Sequence, residues 1–403
     1  MDTESVPDMY DEVFRCDDSY SVGIIRSWDR FLPLRETWDT LVEQHGSHYP
    51  FLCHDWFRIW LKHFQGTAGL CIALVTRHHI PTLIAPLLTK IDKYKNIANV
   101  RKIEFIGNHH SPIKCFIFGE NEKSQRTDSL IALFRFFEFN YKNWDILELD
   151  SIPVETFPCS NLKDIAYSYG FSVRDFVSYN NWYFDGMNHS SQAYFSNLPK
   201  KIRDELKRRQ KRLEESGSVN FIIGSSLYDF PRHMDLYDCV RARSWKHPEK
   251  NKDFLWETRE MYASKGLLRF CFVTIDDTPI AAQLRIVSNR TAYFMEALHD
   301  KRYNNFGPGN LLRWKVIQHL LDIEKVSSID QIRGDEDYKE YWTPFKRNRI
   351  GVTVFNTSLK GQFFRMLMMA AVPVTKKIKM FLKPIKQVIQ RNQITTDSLQ
   401  RLD

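Results

Sequence analysis

The order of patterns along the chain predicts a mixed α/β fold, an α+β mixed sheet built as two consecutive halves. Three observations carry that expectation. From Leu268 to Leu298, β-rich runs separated by short turns spell a three-stranded antiparallel meander. Directly after it, Gly307-Pro308-Gly309 opens a run with Leu312, Val316, Ile317, Leu320 and Leu321 at helical spacing. A second α/β set precedes the meander, and 403 residues are too many for one ordinary domain.

In chain order, residues 1–18 form an acidic leader that lacks the basic-then-apolar pattern of a signal peptide and is expected to be disordered. The N-terminal half, 19–186, begins with a strand over Tyr20 to Ser27 and a helix over Leu34 to Gln44. An aromatic helix follows over Phe51 to Phe64. Cys71 to Arg77 and Thr82 to Thr89 read as a hairpin. Then come a strand from Lys102 to Gly107, a helix from Thr127 to Tyr141, a strand from Trp144 to Leu149, a helix from Asn161 to Tyr169 and a strand from Asn181 to Asp185. His78-His79 and His109-His110 do not suggest a metal: adjacent side chains on a strand point to opposite faces, so no metal is expected.

The C-terminal half, 187–358, starts with a basic helix from Pro199 to Glu215. Lys200, Lys201, Arg203, Lys207, Arg208, Arg209, Lys211 and Arg212 crowd it, and Ile202, Leu206 and Leu213 give it a thin apolar seam. Three roles are open: a solvated face, contact with a phosphate-bearing acceptor, or contact with nucleic acid. The last is weakened by the absence of a recognisable nucleic-acid module. Val219 to Ile223 reads as a strand, and Leu236 to Lys246 and Phe254 to Ala263 as helices. The meander follows as Leu268 to Ile275, Ile280 to Val287 and Thr291 to Leu298. Gly307 fits the N-cap of the next helix and Pro308 its first position, where a missing N–H costs nothing. The amides of Gly309, Asn310 and Leu311 are then expected to face outward at the positive end of the helix dipole, a pyrophosphate site. Gln331 to Arg333 reads as a further strand.

Residues 359–403 form a basic, amphipathic tail broken by Pro373 and Pro384, suited to an anionic membrane surface, a partner, or packing on the protein itself. The net charge of +8 is concentrated in this tail and the basic helix. Hydrophobic residues at 43% and charged residues at 26% describe a globular protein, and no run approaches the roughly 20 apolar residues of a spanning helix. The seven cysteines are scattered singly, without a C-x-x-C pair, so a reduced cytoplasmic protein is expected, peripheral to the inner membrane face if the tail binds lipid.

A meander leading directly into Gly307-x-Gly309 resembles the acyl-coenzyme A half of GNAT acyltransferases. Against the pattern Gln/Arg-x-x-Gly-x-Gly/Ala, the chain keeps both glycines but has Asn304 at the first position. Ser244-Trp245-Lys246, Pro279-Ile280-Ala281-Ala282, Gly307 to Leu312 and the block Arg333-Gly334-Asp335-Glu336-Asp337-Tyr338-Lys339-x-x-Trp342 are similar to the CelD-like acyltransferases of cellulose and exopolysaccharide loci. The two-half order also resembles the Fem-type transferases. The resemblance implies a tandem GNAT fold, with acyl-coenzyme A as cosubstrate at Asn304, Gly307, Gly309, Asn310 and Leu311, and acceptor contacts at Arg203, Arg243, Trp245, Lys246 and Arg333. It implies transfer of an acyl group, acetyl foremost, to an amine or hydroxyl of a sugar, nucleotide-sugar or envelope precursor. The alternatives are a Fem-type aminoacyl transferase using charged tRNA and a non-catalytic subunit of a polysaccharide-synthesis complex.

Acyl transfer needs a neutral amine, a stabilised oxyanion and a reprotonated thiolate. Asp335, at the end of the expected strand, is the first choice of base and Glu296 the second. Tyr338 is the candidate acid, and Lys339 the positive group near the oxyanion or an acceptor phosphate. The same residues also read as an ion-pair cluster around Trp342.

Overall fold

The computed structural model describes residues 10–44, 49–119, 122–155, 159–186, 190–336 and 338–370. Their backbone forms a five-stranded and an eleven-stranded sheet with helices packed on them. From one edge, the large sheet runs Val219–Gly224, Leu268–Ile275, Thr278–Ser288, Thr291–His299, Ser328–Asp330, Ser172–Asp185, Phe345–Phe355, Ile146–Pro153, Ala98–Phe105, Leu87–Tyr94 and Gly69–Leu70. The first five strands belong to the C-terminal half. The two halves are joined at Ser172–Asp185, which pairs antiparallel with Ser328–Asp330 on one side and with Phe345–Phe355 on the other. Phe345–Phe355 in turn pairs with Ile146–Pro153, so a C-terminal strand lies between two strands of the N-terminal half.

The meander forms where the sequence predicts it, as Leu268–Ile275, Thr278–Ser288 and Thr291–His299. Asp276-Asp277 and Asn289-Arg290 take the left-handed conformation at its two-residue turns, the geometry that matches the twist of a hairpin. The helix Pro308–Asp322 follows and buries Leu312, Val316, Ile317, Leu320 and Leu321 against the sheet, each worth about 1.5–3 kcal/mol of transfer free energy.

Several elements differ from expectation. The expected Cys71–Arg77/Thr82–Thr89 hairpin is Ile72–Arg77 paired with Ile80–Ala85 in the small sheet; at Pro86, which has no N–H for a ladder, the chain leaves that sheet and Leu87–Tyr94 enters the large one. Glu12–Arg15, inside the leader expected to be disordered, pairs with Tyr20–Ile25. The strand expected at Asn181 to Asp185 begins at Ser172, because its partner Phe345–Phe355 is long enough to match it. The strand expected over Gln331 to Arg333 is Ser328–Asp330, and the chain turns out of the sheet at Ile332, φ 46°. The first helix after Val219–Gly224 is Phe230–Ala242, so Arg243 to Lys246 follow it in a loop. Ser191–Asn197 is a helix that no pattern indicated.

One apolar core crosses the halves: Phe51 packs edge-on against Tyr262 and Tyr293, at 6.5 and 5.3 Å between ring centres. Ion pairs at its margin do the same, Lys62 and His63 to Glu257 at 2.8 and 2.9 Å and Lys265 to Asp55 at 3.0 Å. In the helix over 359–370, Phe364 is buried beside Val100, Ile146 and Phe355. The rest of the tail, from residue 371, and with it the membrane expectation, lies outside the described residues. Among the described residues, no helix is long and apolar enough to cross a membrane.

Candidate active site

The site is built where two neighbouring strands part. Thr291–His299 and Ser328–Asp330 run parallel, but their ladder covers only Thr291↔Ser328, Ala292↔Ile329 and Tyr293↔Asp330. Beyond Tyr293 the first strand continues while the second turns away, and residues 294–299 have no ladder partner on that side. A β-bulge between Leu284 and Arg285 shifts the register opposite Met295, re-aiming Glu296 to the face carrying the helices Phe230–Ala242 and Lys252–Ser264. Open strand ends of this kind are where α/β sheets bind ligands.

Glu296 is ion-paired with Lys246, and Arg241 stands 4.0 Å away. Behind them, the Tyr237 hydroxyl donates to Glu249 at 2.8 Å and accepts from Arg241 at 2.9 Å, while Arg259 holds Glu249 at 2.5 Å. Although burial opposes ionisation, the Arg259 guanidinium and its neighbours keep the Glu249 carboxyl below its ordinary range. A cavity of about 180 Å³ lies on one side, lined by His110, Arg259, Met295, Glu296, Ile332 and Arg333 among others. A wider one of about 560 Å³, with Asp238, Arg241, Lys246, Glu249, Trp256 and Arg259 in its wall, lies on the other. Arg259 lines both cavities, and Glu296 lines the smaller one. Burial pulls the His110 imidazole down to about 4, and its Nε2 has no hydrogen-bond partner among the described residues.

At the far end of the open edge, the helix Pro308–Asp322 begins as the sequence predicts, with Gly307 as N-cap at φ 57°. The amides are arranged differently from expectation: those of Asn310 and Leu311 both donate to the Gly307 carbonyl, at 3.1 and 3.3 Å, closing the first turn. Leu311 is buried, so its side chain faces the core. The Asn304 side-chain oxygen accepts from His299 Nε2 at 2.7 Å, and Trp245 lies on the His299 ring at 4.4 Å. Gln283 donates to the Gly309 carbonyl at 2.8 Å and accepts from Arg285, which also donates to the Glu296 carbonyl at 2.8 Å. This bridge ties the start of the helix to the backbone of Glu296.

The Arg333 to Trp342 block is otherwise engaged. Asp335 is half-exposed and accepts from Lys346 at 2.6 Å, Asn180 at 2.7 Å and Trp182 at 3.0 Å; the Lys346 ammonium, with those two donors, holds its carboxyl below the ordinary range. Lys339 is buried, donating to the carbonyls of Arg333 at 2.7 Å and Gln331 at 3.4 Å and pairing with Glu336 at 2.9 Å. It clamps the loop rather than presenting a free ammonium. Tyr338 is exposed, with the buried Arg313 guanidinium 4.9 Å from its ring centre. Arg333 lies over Tyr179 at 4.6 Å and donates to Ser151 at 3.2 Å, docking the loop on the N-terminal half. Arg243 reaches Asp300 at 3.4 Å, and Arg203 sits half-buried on the basic helix Lys200–Glu214. Among the described residues, no group of three or more His, Cys, Asp or Glu is placed to hold a metal.

Sequence reasoning missed Tyr237, Glu249, Arg259 and His110. Tyr237 and Arg241 stand at helical i,i+4 spacing, a weak signal; nothing in the sequence joins them to Glu249 and Arg259.

A meander, a parted parallel pair and a glycine-opened helix define the class: a mixed α/β fold of the GNAT type. Residues 200–340 match the family model for the acetyltransferase (GNAT) domain. The fold is similar to the crystal structure of FemX, with a TM-score of 0.56 and 10% identity over 82% of this chain and 98% of that one. A conserved protein from Bacteroides thetaiotaomicron VPI-5482, with a TM-score of 0.49 and 10% identity over 82% and 99% of the two chains, adds no weight at that score. Nor does a tandem GNAT protein from the clavulanic acid pathway, with a TM-score of 0.42 and 10% identity over 83% and 98%. No curated protein matches the sequence.

Proposed function

We propose that the protein transfers an acyl group, acetyl foremost, from acyl-coenzyme A to an amine or hydroxyl of a sugar, nucleotide-sugar or other envelope precursor. The observation that carries this reading is the unpaired edge of residues 294–299, running from the glycine-opened helix to Glu296. The pyrophosphate sits at the loop from Asn304 to Gly309, and the pantetheine follows the open edge as an added strand. The thioester then lies beside Glu296, with the acceptor in the charged chamber beyond. The resemblance of the Arg333 to Trp342 block to CelD-like acyltransferases supports the polysaccharide context.

Glu296, rather than Asp335, is the better base, because it lines a cavity where an incoming ammonium can replace Lys246, whereas Asp335 is held by Lys346, Asn180 and Trp182 together. Once Lys246 is displaced, Glu296 accepts the proton, the free amine attacks the thioester carbonyl, and the tetrahedral intermediate expels the thiolate. Tyr338 remains the candidate for returning a proton to sulfur.

Purified protein titrated with acetyl-coenzyme A should show a rise in melting temperature that grows with ligand concentration. Gly309→Asp, which sets a carboxylate and a side chain at the helix start, should abolish the shift while preserving the fold. An unchanged shift in the variant would place the coenzyme elsewhere, and no shift in the unaltered protein would favour a non-catalytic role. The exposed cations of Lys200–Glu214 support a second reading, an aminoacyl transferase using charged tRNA. Binding of aminoacyl-tRNA without any response to acetyl-coenzyme A would favour it.

A further inference from the structure

We infer that Arg209 is the cation of the coenzyme site, reaching the pyrophosphate across Gly307; this rests on the acyl-coenzyme A reading above and adds a residue outside the meander and the helix that follows it. The segment from Asn304 to Gly309 contains no basic residue. Asn304 is engaged with His299, and Arg302 just before the segment is turned onto Asp300 at 2.7 Å. Lys301, at the start of the same turn, is exposed, so a doubly charged ligand gains most from a countercharge that another element holds against the helix start.

The basic helix Lys200–Glu214 supplies it. Leu206 and Leu213 are buried in the core shared with Leu311 and Leu312, which fixes the rotation of this helix beside the coenzyme helix. That rotation sets Arg209 directly against Gly307, where even a Cβ would collide with the guanidinium. Gly307 thus serves twice: its positive φ opens the helix, and its missing side chain admits the cation. Arg209 has an ion pair to Glu205 one turn earlier, both side chains being 26% exposed. A guanidinium carries five N–H donors, so one carboxylate leaves donors for phosphate oxygens. The cations on the outer face of the same helix, Lys207, Arg208 and Lys211, are exposed.

The test compares Kd for acetyl-coenzyme A and for S-acetylpantetheine, which has the thioester arm but no phosphate. The proteins are the unaltered chain, Arg209→Gln, the double variant Glu205→Gln/Arg209→Gln, and Lys211→Gln as a control for charge loss. Arg209→Gln should weaken acetyl-coenzyme A by roughly ten- to a hundredfold, the value of a charge-assisted hydrogen bond, and leave S-acetylpantetheine unchanged. The double variant should show the same selective loss, which excludes repulsion from a stranded Glu205. Lys211→Gln should change either affinity less than about twofold. An unaltered acetyl-coenzyme A affinity in Arg209→Gln, or equal losses for both ligands, overturns the inference and leaves Arg209 a structural clamp on the loop. Failure of the unaltered protein to bind acetyl-coenzyme A would overturn the underlying reading as well, so the two failures are told apart.

Discussion

Glu296 and Asp335 are both carboxylates of residues 187–358, and their surroundings differ. Asp335 is saturated by an ammonium, an indole and an amide, whereas Glu296 lines a cavity and pairs with one partly exposed lysine. Glu296→Gln should therefore lower turnover of acetyl-coenzyme A with an acceptor by roughly a hundred- to ten-thousandfold while its Kd stays constant. Asp335→Asn should leave turnover within a fewfold. His110 offers a test in pH. Burial, with His109 and Arg259 beside it, holds its folded pKa at about 4 despite nearby Glu249. The unfolded chain protonates near 6.5, so it takes up a proton the fold refuses. The stability that neutral His110 confers is complete above about pH 6.5 and is lost as pH falls toward about 4. Denaturant midpoints measured across that window should fall less steeply for His110→Asn than for the unaltered protein.

Residues 331–336, which follow Ser328–Asp330, depend on one glycine. Gly334 stands at φ 120°, and a Cβ there would meet the Glu336 carboxylate and the Lys339 ammonium. Gly334→Ala should cost roughly 1–3 kcal/mol and lower the thermal midpoint without changing the far-ultraviolet dichroism. Elements of this kind mark the limit of what was legible. The meander, the glycine-opened helix and the basic helix announce themselves because their signals are local: two-residue turns, a Gly-Pro start, a charged run with a thin apolar seam. Lys339 has the residue type of an oxyanion group, and only the fold reveals that backbone carbonyls occupy it. Likewise the outward Lys90, Asp92 and Lys93 of Leu87–Tyr94 give no hint of the sheet it enters, since pairing with Ala98–Phe105 and the switch at Pro86 decide that. Tyr237, Glu249 and Arg259 converge only when two helices pack.

At the scale of the whole molecule, the halves share strands as well as a core. Arg347 and Arg349, on Phe345–Phe355, bind Asp330 at 2.7 and 3.4 Å in one half and Glu155 in the other, with Asn181 donating to Asp330 at 2.7 Å. Against the effect of burial, the Arg349 and Arg347 guanidiniums hold the Glu155 carboxyl below its ordinary range. Residues 1–186 and 187–370 expressed separately should each give little soluble protein and no cooperative melting, and co-expression should restore both. The position of Phe345–Phe355 also sets an order on biosynthesis. It is the last described strand to leave the ribosome, yet its place lies between Ser172–Asp185 and Ile146–Pro153, which are made far earlier. Until it arrives, the nascent chain exposes two strand edges awaiting one partner, a template for pairing with other chains. A message truncated just upstream of this strand therefore yields a polypeptide with most of its core and an open slot, the kind of product a cell must hold on chaperones or degrade.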